Sequence, residues 1–523
     1  MFTCRGRVST ASISSCLAVR QACWRHAWAS RLLAVAALAL MSGCAVGPDF
    51  ARPPAPDVSG YTQGPLPKGT VGANAAGGTA QRFIRGRDIP GDWWRLFHSK
   101  PLRNLIERAL ENNYDLQAAQ AALRIARENT AAQRGAFFPS VDGGFSATRQ
   151  KVPADINGDV QDPSVFNVFT GQVNVAYSPD VFGGVRRSVE SLEAQEEGQR
   201  FQVEAVYLTL TSNIVLAAIQ EASLRGQISA TQRVIGIATD LRDLLRRQRG
   251  LGQIAEADVV AQEAALAQIE QTLPPLQRQL AQQRHLLAAL IGSFPSQKMA
   301  ETFALSALRL PRDLPVSVPS QLVEQRPDVR AAEANLKSAS ALIGVAIANR
   351  LPNITLTANA GNTAFEFAQL FSPQSGFWSL TGAIAQPIFH GGTLFHRELA
   401  ARAAFDQAAA QYRSTVITAF QNVADTLTAL RTDAVALQKA VATERAAARS
   451  LDITRQRMQL GDINYLSLLN AQQTYQQAVI NLVQAQANRY ADTVALYQAL
   501  GGGWWNRADI PPRAQVSILD AIH

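Results

Sequence analysis

The sequence predicts a mixed α+β membrane protein that is internally duplicated, with two very long helices and four membrane-crossing strands per chain. Three observations predict it. Turn and break residues recur at a nearly fixed offset: Asp328 follows Asp115 by 213 positions and Gly461 follows Gly252 by 209. Each half carries, after a proline, two stretches whose apolar residues alternate with period two. Each half then runs for nearly 70 residues with no proline, from Gly184 to Gly252 and from Gly392 to Gly461. Offsets held this steadily mark duplication.

The chain of 523 residues is too long for one ordinary core. Apolar residues make up 47% but aromatics only 7%, and much of the apolar content is Ala, which suits close helix packing. The formal charge of +8 includes Arg5, Arg7, Arg20, Arg25 and Arg31, so 8 − 5 leaves +3 after residue 43. No basic run follows, which argues against a nucleic-acid partner. All four cysteines (Cys4, Cys16, Cys23, Cys44) lie in the first 44 residues. Cleavage before Cys44 leaves one terminal Cys, an attachment point with no disulfide partner.

Residues 1–43 read as a signal peptide. Arg31 precedes a ten-residue apolar run from Leu32 to Met41, too short to span a bilayer, and Ser42-Gly43-Cys44 closes it. It resembles a bacterial lipoprotein signal, although Met41 stands where Leu is usual. The resemblance implies a covalent lipid on Cys44, S-diacylglycerol and N-acyl (palmitate-type), and Ala45 in place of Asp points to the outer membrane. Two or more acyl chains anchor stably. Residues 44–92, rich in Pro and Gly, read as an extended lipid-anchored tether with no independent fold.

The first repeat spans 93–292. Leu102, Leu105, Ile106, Ala109 and Leu110 mark one helix face, Asn112-Asn113-Tyr114-Asp115 breaks it, and Asp115 is a candidate N-cap. Strands are expected at about 139–148 and 165–178, with Val141, Phe145, Val173 and Val175 opposite Asp142, Ser146, Gln172 and Asn174. A long helix follows over about 185–250. Pro274-Pro275 interrupts its return helix, and residues 293–318 read as a linker. The second repeat, 319–500, gives strands at about 353–362 and 377–387 and a long helix over about 393–460; residues 501–523 form an irregular tail. Strands of about ten residues match the length a tilted strand needs to cross a bilayer. Four cannot close a useful barrel, so a membrane reading requires oligomerisation. Loops near 149–163 and 364–375 then face outside the cell. At 1.5 Å per residue each long helix reaches about 100 Å. Val203, Tyr207, Leu210 and Ile214, and Val416, Phe420, Val423, Leu427, Leu430, Ala434, Leu437 and Val441, form coiled-coil seams.

The order of motifs resembles an outer-membrane efflux lipoprotein of the TolC-like outer-membrane factors, closest to the NodT type. The resemblance covers about 44–505. It rests on Pro48-Asp49-Phe50-Ala51-Arg52-Pro53, Trp94-Arg95-Leu96-Phe97, Asn112-Asn113-Tyr114-Asp115-Leu116 and Phe182-Gly183-Gly184-Val185-Arg186-Arg187. Asp258-Val259, Leu273-Pro274-Pro275-Leu276, Arg284-His285 and Asn470-Ala471-Gln472 add to it. It implies a homotrimer in which twelve strands form one outer-membrane β-barrel and twelve helices a periplasmic tunnel. It implies an exit duct for drugs or other small molecules, with no catalysis. The partners implied are a periplasmic membrane-fusion adaptor, an inner-membrane RND-type pump and outer-membrane lipid.

The adaptor-docking tips would be Gly250, Leu251, Gly252 and Gln253, with Leu460 and Gly461. Family members constrict the tunnel just past the second tip, often with acidic residues six and nine positions after the Gly. Here those positions hold Ser467 and Asn470, while the first copy has Asp258 and Ala261. The expectation is a gate closed by neutral contacts and weakly blocked by cations, unless Asp462 supplies charge. Enzyme chemistry lacks a motif: the six His are scattered, with no HExxH pair, phosphate loop or G-x-S-x-G, and no cofactor or metal is expected. A soluble coiled-coil adaptor is disfavoured by the alternating strands.

Overall fold

The computed structural model describes residues 45–152, 164–460, 462–463 and 465–507. Cys44, the signal peptide, Gly461 and the tail beyond Arg507 lie outside the described residues. The chain divides into two compact units.

One unit comprises the chain up to Ala51 with Glu128–Ala194 and Lys337–Gln407. It contains strands β2 (Ser140–Val152), β3 (Ser164–Tyr177), β5 (Asn353–Ala364) and β6 (Gly376–Ala385), in the order β2-β3-β5-β6. Every neighbouring pair is antiparallel. The register puts Val141 beside Val175, Val173 beside Ala360, and Ala360 beside Trp378. Since successive side chains alternate faces, one face collects Val141, Phe145, Val173, Leu356, Trp378, Leu380 and Ile384, all exposed. The other collects Asp142, Gln172, Asn174, Thr357, Asn359 and Thr381. On that polar face Thr170 and Thr363 hydroxyls meet at 3.1 Å, and Asn359 Nδ2 donates to Ser379 Oγ at 3.4 Å.

The other unit comprises Arg52–Arg127, Gln195–Leu336 and the chain from Ala408. The long helices α3 (Gly184–Gly250) and α8 (Thr393–Gln459) are each 67 residues and run into it. It also holds α1 (Lys100–Asn112), the start of α2 (Tyr114–Arg134), α4 (Glu256–Gln271), α5 (Leu273–Leu290), α6 (Pro319–Gln325), the start of α7 (Pro327–Ala348), and α9 (Tyr465–Ala499). The α8 seam is buried at Val416, Val423, Leu427, Leu430, Ala434, Leu437 and Val441. Trp93 stacks on Tyr497 with ring centroids 5.3 Å apart, and Leu102, Leu105 and Ile106 are fully enclosed. α3 contains a window apolar enough to cross a membrane by length and composition. Its Ile214, Val215, Ile219 and Leu224 are buried within this unit, so the window is core packing.

Three local expectations change. The cap of α2 is Asn113, not Asp115: Asn113 Oδ1 accepts from Leu116 N at 3.0 Å while its Nδ2 donates to Leu290 O at 2.9 Å. Asp115 lies in the first turn, where a carboxylate still favours the helix dipole. The stretch expected as a linker carries β4 (Asp313–Val316), and Phe303, Leu305, Leu308, Leu310 and Leu314 are buried. β4 pairs in parallel with β1 (Arg82–Arg85), so the expected tether is laid against the body and shares its core. Arg82 and Arg87 both bind Asp313, holding its carboxyl below the usual range. The α4–α5 break falls at Thr272, and Pro274 and Pro275 sit in the first turn of α5, where missing N–H groups cost nothing.

Candidate functional site

The candidate site is the end of the helical unit where α3 turns into α4 and α8 turns into α9. A helix end leaves carbonyls without partners, and the chain supplies them locally. Gly252 adopts φ +74°, its N–H bonds Arg249 O at 2.8 Å, and Gln253 N bonds Gln248 O at 3.0 Å. That paired closure needs a left-handed residue, which is why a glycine stands there. The second turn repeats the outer bond: Asp462 N reaches Arg457 O at 3.0 Å, at positions 209 later.

Beneath the turns the two hairpins share one apolar cluster. Leu241, Leu245, Val259, Leu451, Tyr465, Leu468 and Ala471 are its buried members. Val259 and Leu468 occupy the same position in the two copies, one residue after Asp258 and Ser467. A polar link crosses this cluster: Tyr465 Oη donates to Gln262 Oε1 at 2.5 Å, and Gln262 Nε2 donates to Ala238 O at 2.9 Å. Burial, and then the nearby Asp258 carboxylate, push the Tyr465 hydroxyl up to about 12. It therefore stays protonated and able to donate at any physiological pH. Gln472 is also buried, and neither end of its amide has a partner among the described residues. Such a group costs about 1–3 kcal/mol.

The acidic side chains around the turns are mostly paired. Asp462 meets Arg457 at 2.9 Å, Glu263 meets Arg246 at 2.6 Å, and Glu256 pairs with Arg249. These exposed pairs contribute little stability, but they cancel local charge. Of the residues singled out from sequence, Ser467 and Asn470 are exposed on α9 and Asp258 is half-buried in the first turn of α4. Gly250, Leu251, Gly252 and Gln253 form the exposed first turn. Leu460 is 82% exposed and Leu251 74%, so each turn presents a bare leucine. The structure thus brings Asp258 and the start of α9 together, and leaves Ser467 and Asn470 on the exposed side of α9. Sequence reasoning gave no role to Gln262 or Tyr465, and Gln472 entered only within the Asn470-Ala471-Gln472 motif. The one usable signal for Gln262 was its place on the same helical face as Val259 and Leu266.

Among the described residues no group of His, Cys, Asp and Glu could hold a metal. The helical end can pack, hydrogen-bond and present leucines. The sheet offers one apolar and one polar face.

A family model described as outer membrane efflux protein matches residues 105–293 and 318–502. The toluene efflux pump outer membrane protein TtgF of Pseudomonas putida is 31% identical over 503 residues, covering 92% of this chain and 99% of that protein. The pyoverdine export outer membrane protein OpmQ of Pseudomonas putida is 31% identical over 427 residues, covering 80% and 89%. Among solved structures, the outer-membrane channel OprN superposes with a TM-score of 0.79 at 28% identity, covering 88% of this chain and all of that one.

Proposed function

The chain belongs to the outer membrane efflux protein family, and from that premise we propose that it is the exit duct of a tripartite efflux system. It is an outer-membrane efflux channel, not an enzyme of the outer membrane, in keeping with a family of channel proteins. The observation that carries the reading is the four-stranded sheet with one apolar and one polar face. Lipid accepts the first and water the second, as in membrane β-barrels.

The finer reading is a homotrimer. The sheet ends in two strand edges, β2 and β6, and an open edge is not tolerated in a bilayer. Pairing β6 of one copy with β2 of the next closes twelve strands into a barrel. The bare Leu251 and Leu460 are the surface offered to a periplasmic membrane-fusion adaptor, which links the duct to an inner-membrane RND-type pump. Cys44 carries the lipid. Conduction is passive, and cargo is chosen upstream: relatives equally similar to this chain bear the names of toluene and of pyoverdine. Gate closure rests on Ser467 and Asn470 from three copies, with the Asp462 charge held by Arg457.

The test is fractionation followed by planar-bilayer recording. An oligomer in the outer membrane with discrete conductance steps is expected, lost on Leu380→Asp. A periplasmic monomer would overturn the reading. Gly252→Phe should abolish drug resistance in a strain carrying the partner pump while leaving oligomers intact. Unchanged resistance would remove the docking assignment.

A further inference from the structure

The residues that follow Cys44 are not a loose leash. Val46 N donates to Phe182 O at 3.1 Å, at the turn between β3 and α3. Arg187, 5% exposed, reaches back along the same peptide. Its Nε donates to Val46 O at 3.1 Å and its Nη2 to Gly47 O at 3.3 Å and Asp49 Oδ1 at 2.8 Å, while Nη1 meets Glu190 at 2.7 Å. Two glycines let the backbones approach. A Cβ on Gly183 would stand 2.6 Å from Ala45 Cα, and one on Gly344 would stand 2.7 Å from both Val46 O and Arg187 Cγ. Gly47 itself has φ +96° and lies against Gly344 so closely that its own Cβ would be 2.5 Å from Gly344 Cα. No other residue type fits these contacts.

We infer that Gly183, Gly344 and Arg187 form a socket whose ligand is the chain's own peptide 45–49, and that this socket positions the N-terminus. The ligand is Ala45-Val46-Gly47-Pro48-Asp49, bent at Gly47 and ending in a carboxylate. Glycines admit the first part and the buried guanidinium fork reads two carbonyls and the carboxylate. The socket stands on these contacts alone. Its consequence for a lipid rests on the proposed acylation of Cys44: the lipid is delivered to the β3–α3 turn by the fold, rather than ranging over the length of a tether.

Hydrogen exchange read by mass spectrometry on the full mature chain in detergent tests it. Within the wild-type peptide 45–52 the Val46 amide, which donates to Phe182 O, should be protected by at least about tenfold over an unstructured peptide, since its opening requires release of the socket. Arg187→Ala and Gly344→Val should remove that protection while β2, β3, β5 and β6 keep theirs. Arg187→Lys should restore only part of it, because an ammonium cannot replace the fork. If Gly344→Val does not fold, Arg187→Ala decides, as it removes atoms and adds no clash. Exchange of the wild-type peptide at the unstructured rate, or unchanged protection in Arg187→Ala, overturns the socket. Palmitate labelling of Cys44 is scored separately. Protection without label removes the lipid and leaves the socket, whereas label without protection removes the socket and leaves the lipid.

Discussion

The two sheet-to-helix turns share a Pro-to-Gly-Gly sequence and a left-handed first glycine, and differ in what covers them. In the first, Pro179 to Gly184, Asp180 caps α3: its carboxylate oxygens accept from Val185 N and Arg186 N, each at 2.9 Å. In the second, Pro387 to Gly392, the same position holds Ile388, 93% exposed, beside Phe389, 86% exposed. Gly183 is pressed against Ala45, while Gly391 has nothing within 4 Å of its would-be Cβ. Duplication has kept one left-handed glycine, φ +76° at Gly183 and +58° at Gly391, while the next position differs: Gly392 is left-handed at +81° and Gly184 opens α3. One turn became a polar socket for residues 45–49. The other stayed bare and apolar, continuing the character of Trp378, Leu380 and Ile384.

Matched substitutions break or sharpen that contrast. The largest difference is expected from Gly183→Val against Gly391→Val. Both incur about 1–2 kcal/mol of left-handed strain, but only the first also drives a side chain into packed backbone, for a further cost of about 1–3 kcal/mol. Thermal dissociation of the oligomer should fall much further for Gly183→Val; equal falls would mean the second turn is covered too. Next, Asp180→Ala should cost about 1–2 kcal/mol through the lost cap. Ile388→Asp should supply a cap to α8 yet reduce recovery in the membrane fraction.

At the other end of the helices the same logic separates Tyr465 from its counterpart Glu256. Tyr465→Phe strands Gln262 and should cost about 1–3 kcal/mol, read as a lower melting temperature and more frequent openings in bilayer recordings. Glu256→Gln, which loses only an exposed pair with Arg249, should change stability by less than about 1 kcal/mol.

A further expected effect is pH-dependent. Burial, then the Asp433 carboxylate, hold the Asp492 carboxyl up at about 7. The folded chain therefore binds a proton that the unfolded chain has released, and stability falls as pH rises from about 4 towards 7 and stays lower above it. Asp492→Asn should flatten this loss, so that its melting temperature exceeds wild type at pH 8 but not at pH 4.

The architecture was readable from sequence because it is periodic. Period two marked the strands near Val141 and Ile384, and the α8 seam from Val416 to Val441 is buried as spaced except at Phe420, which is half-buried. Contacts between segments distant in sequence were not readable. Asn113 outcompetes Asp115 as a cap because it also reaches Leu290 O. Gln262 shows no partner in the sequence, because Tyr465, 203 residues away, supplies it. The Arg187 grip on residues 46–49 leaves no local pattern, since a guanidinium bound to carbonyls has the same sequence signature as one in water.

The β1–β4 ladder has a kinetic consequence. It joins Arg82 to Asp313, residues 231 apart. Closing a loop of that size adds entropy only slowly with length, but it cannot begin until the second strand has been delivered. The segment around Arg82, like Gln81 with its bonds to Pro311 O and Thr493, must wait unpaired until a partner more than 200 residues later in the chain has been made. A fold dominated by such long-range pairings is slow to form. Its slowest steps should therefore lie in docking the N-terminal segment rather than in forming the long helices.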